Sequence, residues 1–147
     1  MAAGDALDCP MLALRTVALP AFTNPYGDIF GGWLMSQMDI AGGAVACRRA
    51  KGRVVTVAIT AMNFHRPVFV GDEVSCYAKV GKIGRTSMTV KIQAFARRGR
   101  TGEKIEVTDG LFTYVAVNSN GKPRPLVEPS GCGRKPQRAK RSNRTGR

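Results

Sequence analysis

Apolar and polar positions change period along this chain, and each change marks an element. Leu12 to Leu19 is a short apolar segment interrupted by Arg15 and stopped by Pro20, the pattern of an edge strand. From residue 30 onward, apolar positions at 30, 34, 38, 41 and 45 follow helical spacing, while 33, 40, 44 and 47 fill a second face. A helix apolar nearly all round must be wrapped by other structure. Gly42-Gly43 within it would let a sheet or partner backbone approach closely, despite costing roughly 1 kcal/mol each in helix propensity. Lys51-Gly52-Arg53 supplies the cations and glycine of a helix end, and Val54 to Phe64 follows as a β-branched run that reads as a strand.

Residues 74–82 and 86–98 alternate strictly, with Val74, Cys76, Ala78 and Val80 on one face of the first and Met88, Val90, Ile92 and Ala94 on one face of the second. Residues 104–117 repeat the pattern, and the turns between carry Gly71-Asp72, Gly81 to Gly84 and Gly99 to Gly102. The order is one strand, a long buried helix, then four strands with hairpin-like connections. It predicts an α+β fold in which an antiparallel sheet of five to six strands curls around one central helix. Residues 1–11 read as a flexible N-terminus and 12–127 as one domain, long enough to bury a core without disulfides or metals. Residues 128–147, rich in Arg, Lys, Pro, Gly and Ser, read as a disordered basic tail.

Charge adds a constraint on partners. The formal net charge is +13, and seven of the basic residues lie between Arg134 and Arg147, so both the tail and the folded part are basic. Such a surface attracts polyanions, anionic membranes or phosphorylated small molecules. No Lys/Arg pattern interleaved with aromatics occurs in the tail, which argues against nucleic acid as a specific partner. Cys9, Cys47, Cys76 and Cys132 have no C-x-x-C spacing and no His-rich neighbourhood, so neither zinc nor a disulfide framework is indicated and no metal site is assigned. Acids near the N-terminus, where a leader would carry Lys or Arg, predict a cytoplasmic protein. The four glycines, Ser36, Gln37 and Asp39 within residues 29–47 argue against a membrane span.

The chemistry concentrates in sixteen residues. Asp39 is the only charge between Ile29 and Cys47, and a buried acid is costly unless used or paired. Just before it lie the turn Asn24-Pro25-Tyr26-Gly27-Asp28 and the pair Gly31-Gly32. Backbone N–H groups near Gly31 and Gly32, at the start of a helix, are free donors at the positive dipole end, as an oxyanion site needs. Asp28, an acid just ahead of that start, is expected to stabilise the helix dipole. Pro25 and Tyr26 are sufficiently explained as turn residues.

The segment Thr23-Asn-Pro-Tyr-Gly-Asp-Ile-Phe-Gly-Gly-Trp-Leu-Met-Ser-Gln-Met-Asp39 resembles the YciA-type acyl-CoA thioesterases of the hotdog-fold superfamily. The likeness continues through Gly52-Arg-Val-Val-Thr-Val, Met62-Asn-Phe-His-Arg-Pro-Val, Val70-Gly-Asp, Val80-Gly-Lys-Ile-Gly-Arg-Thr-Ser and Leu111-Phe-Thr-Tyr-Val-Ala-Val. It implies the hotdog fold, dimers further assembled as trimers of dimers, and active sites at subunit interfaces. It implies hydrolysis of acyl-CoA to fatty acid and CoA, with no separate cofactor. Asp39 would be the general base or a nucleophile forming a transient anhydride. Asn24 would orient the water or polarise the carbonyl, and Gly31 and Gly32 would supply the oxyanion donors. For CoA phosphates the turn residues Lys82, Gly84, Arg85, Thr86 and Ser87 are the first choice, with His65 and Arg66 as a second. Competing readings are a hotdog dehydratase, which would call for a histidine on the helix, a nucleic-acid-associated protein, and an acyl-CoA sensor without turnover.

Overall fold

Five strands and one long helix account for nearly all regular structure in a computed structural model of the chain, which describes residues 9–127. The elements are β1 (Met11–Val17), a 3-10 turn (Pro20–Phe22), α1 (Gly31–Ala50), β2 (Val54–Phe64), β3 (Glu73–Ile83), β4 (Ser87–Arg97) and β5 (Lys104–Ala116). The five strands lie within two residues of their predicted bounds. The reading of 128–147 as a disordered tail, and of 1–8 as part of a flexible N-terminus, falls outside the described residues.

All strand pairs are antiparallel, in the order β1-β3-β4-β5-β2. Only β3–β4 and β4–β5 are hairpins. β2 does not pair with β3, as a run of hairpin-like connections would require; it crosses to the far edge and pairs with β5. The reason lies in residues 67–72, which carry the chain across the end of the sheet. Asp72, 3% exposed, accepts from the Phe69 N–H at 2.9 Å and pairs with Arg98 at the end of β4, whose guanidinium also covers the Phe69 ring. Gly71, at φ +87°, makes the sharp turn there and donates to Ala18 O. The crossover is thereby tied to both β1 and β4.

The inner face of the sheet carries Val74, Cys76 and Ala78 from β3, Met88, Val90, Ile92 and Ala94 from β4, and Phe112, Tyr114 and Ala116 from β5, all at 0 or 1% exposure. Against them α1 sets Leu34, Met38, Ala41, Val45 and Ala46. Burial pushes the Cys76 thiol up to about 12, which marks it as a packed, inert thiol. Gly42 permits the closest approach: a Cβ there would collide with Ile92 Cδ1 and the Tyr114 hydroxyl. Gly43 faces only an ordinary 3.7 Å contact to Tyr114, so the close approach belongs to one glycine of the pair. One flank of the helix is left uncovered in the single chain. Ile40 is 57% exposed there, although the sequence pattern predicts cover on every side.

Candidate active site

Asp39 lies two helical turns into α1, facing β2 and β5. The Thr56 hydroxyl of β2 donates to its Oδ1 at 2.7 Å and the Tyr114 hydroxyl of β5 reaches the same oxygen at 3.0 Å. Among the described residues Oδ2 takes no hydrogen bond from a side chain. Asp39 is therefore not the isolated buried acid that the apolar run predicts. It is half-buried and held by two hydroxyls, with one oxygen left for other work. Burial, and then the neighbouring Asp39 charge, push the Tyr114 phenol well above its ordinary value, so it stays a donor. Gly42 is what makes room for that hydroxyl. Thr56 and Tyr114 are functional neighbours that sequence reasoning did not find, because a pairing across 17 and 75 residues leaves no local signal.

Asn24 sits in the loop before α1. Its Oδ1 accepts from the N–H groups of Tyr26 at 2.9 Å and Asp28 at 3.1 Å, and Asn24 N–H donates to Asp28 O at 2.7 Å. These bonds commit the carbonyl end of the amide to the turn and leave its NH2 end without a hydrogen-bond partner among the described residues. Of the two roles open to Asn24, polarising a carbonyl as a donor is the one this orientation serves. Asp28 lies two residues ahead of the N-cap Phe30, and no acid occupies the first turn of α1. The expected role of Asp28 on the helix dipole is therefore replaced by its backbone role in the Asn24 turn.

The first amide to bond inside the helix is that of Leu34, to Phe30 O, and Phe30 makes no side-chain cap. Gly31 and Gly32 thus present uncommitted N–H groups at the positive end of a 20-residue helix. Gly31 lines a cleft of about 300 Å³ together with Ile29, Phe30, Leu34 and residues 64–68. A bulge in β2 between Thr60 and Asn63, with Ala61 at φ 51°, bends the strand end toward this cleft. Phe64 consequently lies 3.3 Å from where a Gly31 Cβ would stand. His65 also lines the cleft, its Nε2 2.6 Å from Asp109 Oδ1, and Arg66 follows it. The potential ligand atoms of His65, Glu106 and Asp109 lie within 4.8 Å of one another, a spacing a cation could bridge.

The other basic candidates lie elsewhere. Lys82, Gly84, Arg85, Thr86 and Ser87 form the β3–β4 turn, where Lys82 N–H donates to Thr89 Oγ1, Gly84 N–H to Ser87 O and the Ala116 N–H to Thr86 O. Arg85 and Gly84 line a second cleft together with Arg49, near the end of α1. The two sets proposed for CoA therefore flank opposite ends of a helix about 30 Å long. Asp39 and the Gly31 amides are also apart, eight residues or about 12 Å along the helix axis. One chain does not assemble all the predicted catalytic groups around one thioester.

Comparison with known proteins places this arrangement. The Thioesterase superfamily model matches residues 26–103. The acyl-CoA thioester hydrolase YciA of Salmonella typhimurium is 53% identical over 118 residues, covering 78% of this chain and 89% of that protein. Among solved structures, a hexameric thioesterase from Yersinia pestis is 53% identical with a TM-score of 0.77, covering 82% of this chain and 97% of the other. A hexameric broad specificity acyl-coenzyme A thioesterase is 46% identical with a TM-score of 0.78, covering 84% and 85%. No helix among the described residues is long and apolar enough to cross a membrane. By sequence, strand order and the wrapped helix, the chain belongs to the Thioesterase superfamily, as a YciA-type member with the hotdog fold.

Proposed function

We propose that the protein hydrolyses the thioester of acyl-CoA to a free acid and CoA, in sites completed between two copies of the chain. The observation that carries this reading is the state of Asp39: a carboxylate anchored through one oxygen by Thr56 and Tyr114, with the other oxygen available as a proton acceptor. The substrate class is supported by the acyl-CoA thioester hydrolases to which the chain is similar.

Asp39 takes a proton from water as the water oxygen bonds to the carbonyl carbon. The oxyanion is held by the Gly31 and Gly32 amides and by Asn24 Nδ2. Collapse of the tetrahedral intermediate breaks the C–S bond, and the proton on Asp39 passes to the departing thiolate. Attack by Asp39 itself, through an anhydride, uses the same groups with water entering second. CoA arrives and leaves as part of substrate and product, and these steps use only protein groups and water.

A partner chain is required by the 12 Å offset between Asp39 and the glycine amides. β2 offers the place: it is an edge strand with Val57 55% and Ile59 36% exposed, beside the uncovered Ile40 of α1. Two copies pairing there as a two-fold dimer would exchange their helix starts, so that Asn24 and the glycines of one face Asp39 of the other. The hexameric solved structures to which the chain is similar support three such dimers per assembly. Exposed free thiols at Cys9 and Cys47 fit a reducing, cytoplasmic setting.

The test is thiol release from a panel of acyl-CoAs differing in chain length, by wild type and Asp39→Asn. Release by wild type that falls by about 10³-fold or more in the variant is expected, as for loss of a general base or nucleophile. Wild type that releases no CoA from any member, or a variant as active as wild type, overturns the reading.

A further inference from the structure

Glu106 and Asp109 lie three residues apart on β5, a spacing that puts side chains on opposite faces of a regular strand. Here they share a face. Ala94 of β4 pairs with Thr108 and Phe95 with Glu106, so Val107 is an extra residue, a bulge that resets the alternation. Glu106 then stands opposite Phe95 and Asp109 opposite Gln93, on the face of β4 that alternates with its buried residues. The end of β2 completes the cluster. Phe64 pairs with Thr108, the His65 N–H donates to Val107 O at 2.8 Å, and the imidazole Nε2 lies 2.6 Å from Asp109 Oδ1. One imidazole nitrogen and two carboxylate oxygens, from two strands, thus lie within 4.8 Å of one another.

Two carboxylates this close repel unless a cation lies between them. The chain carries 23 Lys and Arg against 10 Asp and Glu, yet no Lys or Arg pairs with either acid among the described residues. Lys104, on the same face of β5 as Glu106, gives its amine to the Tyr77 hydroxyl at 3.1 Å and stands over the rings of Tyr77 and Phe95. Glu106 Oε1 accepts from Gln93 Nε2 at 3.1 Å, a neutral donor that orients the carboxylate without offsetting its charge. Metal–ligand bonds of about 2.1 Å place two ligands at most ~4.2 Å apart, so closing this cluster on an ion takes shifts of under about an ångström. None of the three residues is buried, and those shifts fall on side chains that reach solvent. An imidazole with two carboxylates suits a first-row transition cation better than Ca²⁺ or Mg²⁺, which take oxygen ligands.

We propose that His65, Glu106 and Asp109 form a site for one divalent transition cation, with Gln93 positioning Glu106. The ion ties the end of β2 to β5 where the chain runs into residues 64–68, one wall of the Gly31 cleft. It stabilises that wall and stands apart from the groups that handle water and thioester, so the site does not depend on the thioesterase reading.

The full chain, freed of metal with a chelator, is titrated with Mn²⁺, and the free ion is read by its electron paramagnetic resonance signal. Mn²⁺ is the probe because it prefers oxygen ligands to the exposed thiols of Cys9 and Cys47. One ion per chain is expected to bind, with affinity lower by about tenfold or more in His65→Gln, Glu106→Gln and Asp109→Asn. Gln93→Leu, which removes no ligand, is expected to cost about tenfold. Glu103→Gln deletes the same charge at an exposed position outside the cluster and is expected to bind as wild type does. Saturating Mn²⁺ should also raise the midpoint of thermal unfolding of wild type but not of the three ligand variants. No binding by wild type at about millimolar Mn²⁺, or unchanged affinity in the ligand variants, overturns the site. An equal loss in Glu103→Gln also overturns it, because the ion would then be responding to acidic charge in general.

Discussion

The start of α1 and its middle are built on opposite plans. Around Asp39 the contacts are made by the chain itself: Thr56 and Tyr114 fix one carboxylate oxygen, Tyr114 is 1% exposed, and Gly42 is there because nothing larger fits beneath the phenol. Around Gly31 and Gly32 the amides are open, the N-cap is bare, and a Cβ on Gly32 would meet nothing within 4 Å. The middle of the helix is finished by its own chain, whereas its start is left for something else to complete. That division suits a site in which the base must be pre-oriented and the oxyanion donors must stay accessible to substrate. It also explains two glycine pairs in one helix by different causes: close packing at Gly42 and access at Gly32.

The contrast can be broken by giving each glycine a methyl group. Gly42→Ala should have the larger effect, because its Cβ would collide with Ile92 and Tyr114 in a full core. A loss of about 1–3 kcal/mol of stability is expected from overpacking, with kcat falling as the Tyr114 hydroxyl is displaced from Asp39. Denaturant unfolding together with steady-state kinetics would register both, and unchanged stability would remove the packing explanation for this glycine. Gly32→Ala should do the reverse. Alanine gains up to about 1 kcal/mol of helix propensity at an exposed position, while its methyl group intrudes where the thioester carbonyl is proposed to sit. A protein as stable as wild type or more so, with kcat/KM about tenfold lower, is the expected outcome. Equal activity would mean that the start of α1 is not in contact with substrate.

Much of this was legible in the sequence, for reasons that also explain what was not. The strands β3, β4 and β5 announce themselves because one face of each is buried and the other is not, so Met88, Val90, Ile92 and Ala94 alternate with Ser87, Thr89, Lys91 and Gln93. The helix and its lone acid were visible because a single charge in an apolar run stands out. The place of β2 was not legible, since an exposed edge strand of β-branched residues has the same composition as a buried one. Its pairing with β5 depends on the crossover pinned by Asp72 and Arg98, which lie 26 residues apart. Thr56 and Tyr114 were missed for the same reason, and without them Asp39 read as buried and unpartnered. The two basic candidates for CoA, the 82–87 turn first and His65 with Arg66 second, could be ranked in the sequence but not placed: His65 and Arg66 lie at one end of α1 and Arg85 at the other.

The central claim is that Asp39 of one chain works with Asn24 and the glycine amides of another. Mixing two inactive variants tests it directly. Asp39→Asn and Asn24→Ala are each expected to have lost most activity alone, and they are then combined, unfolded and refolded together so that subunits exchange. In a mixed dimer one site receives Asp39 from one chain and Asn24 from the other, both intact, while the second site has neither. Random pairing with one good site per mixed dimer predicts recovery to about a quarter of wild-type activity. Activity that stays at the average of the two inactive proteins, with mixed oligomers demonstrably formed, would contradict a site shared between chains.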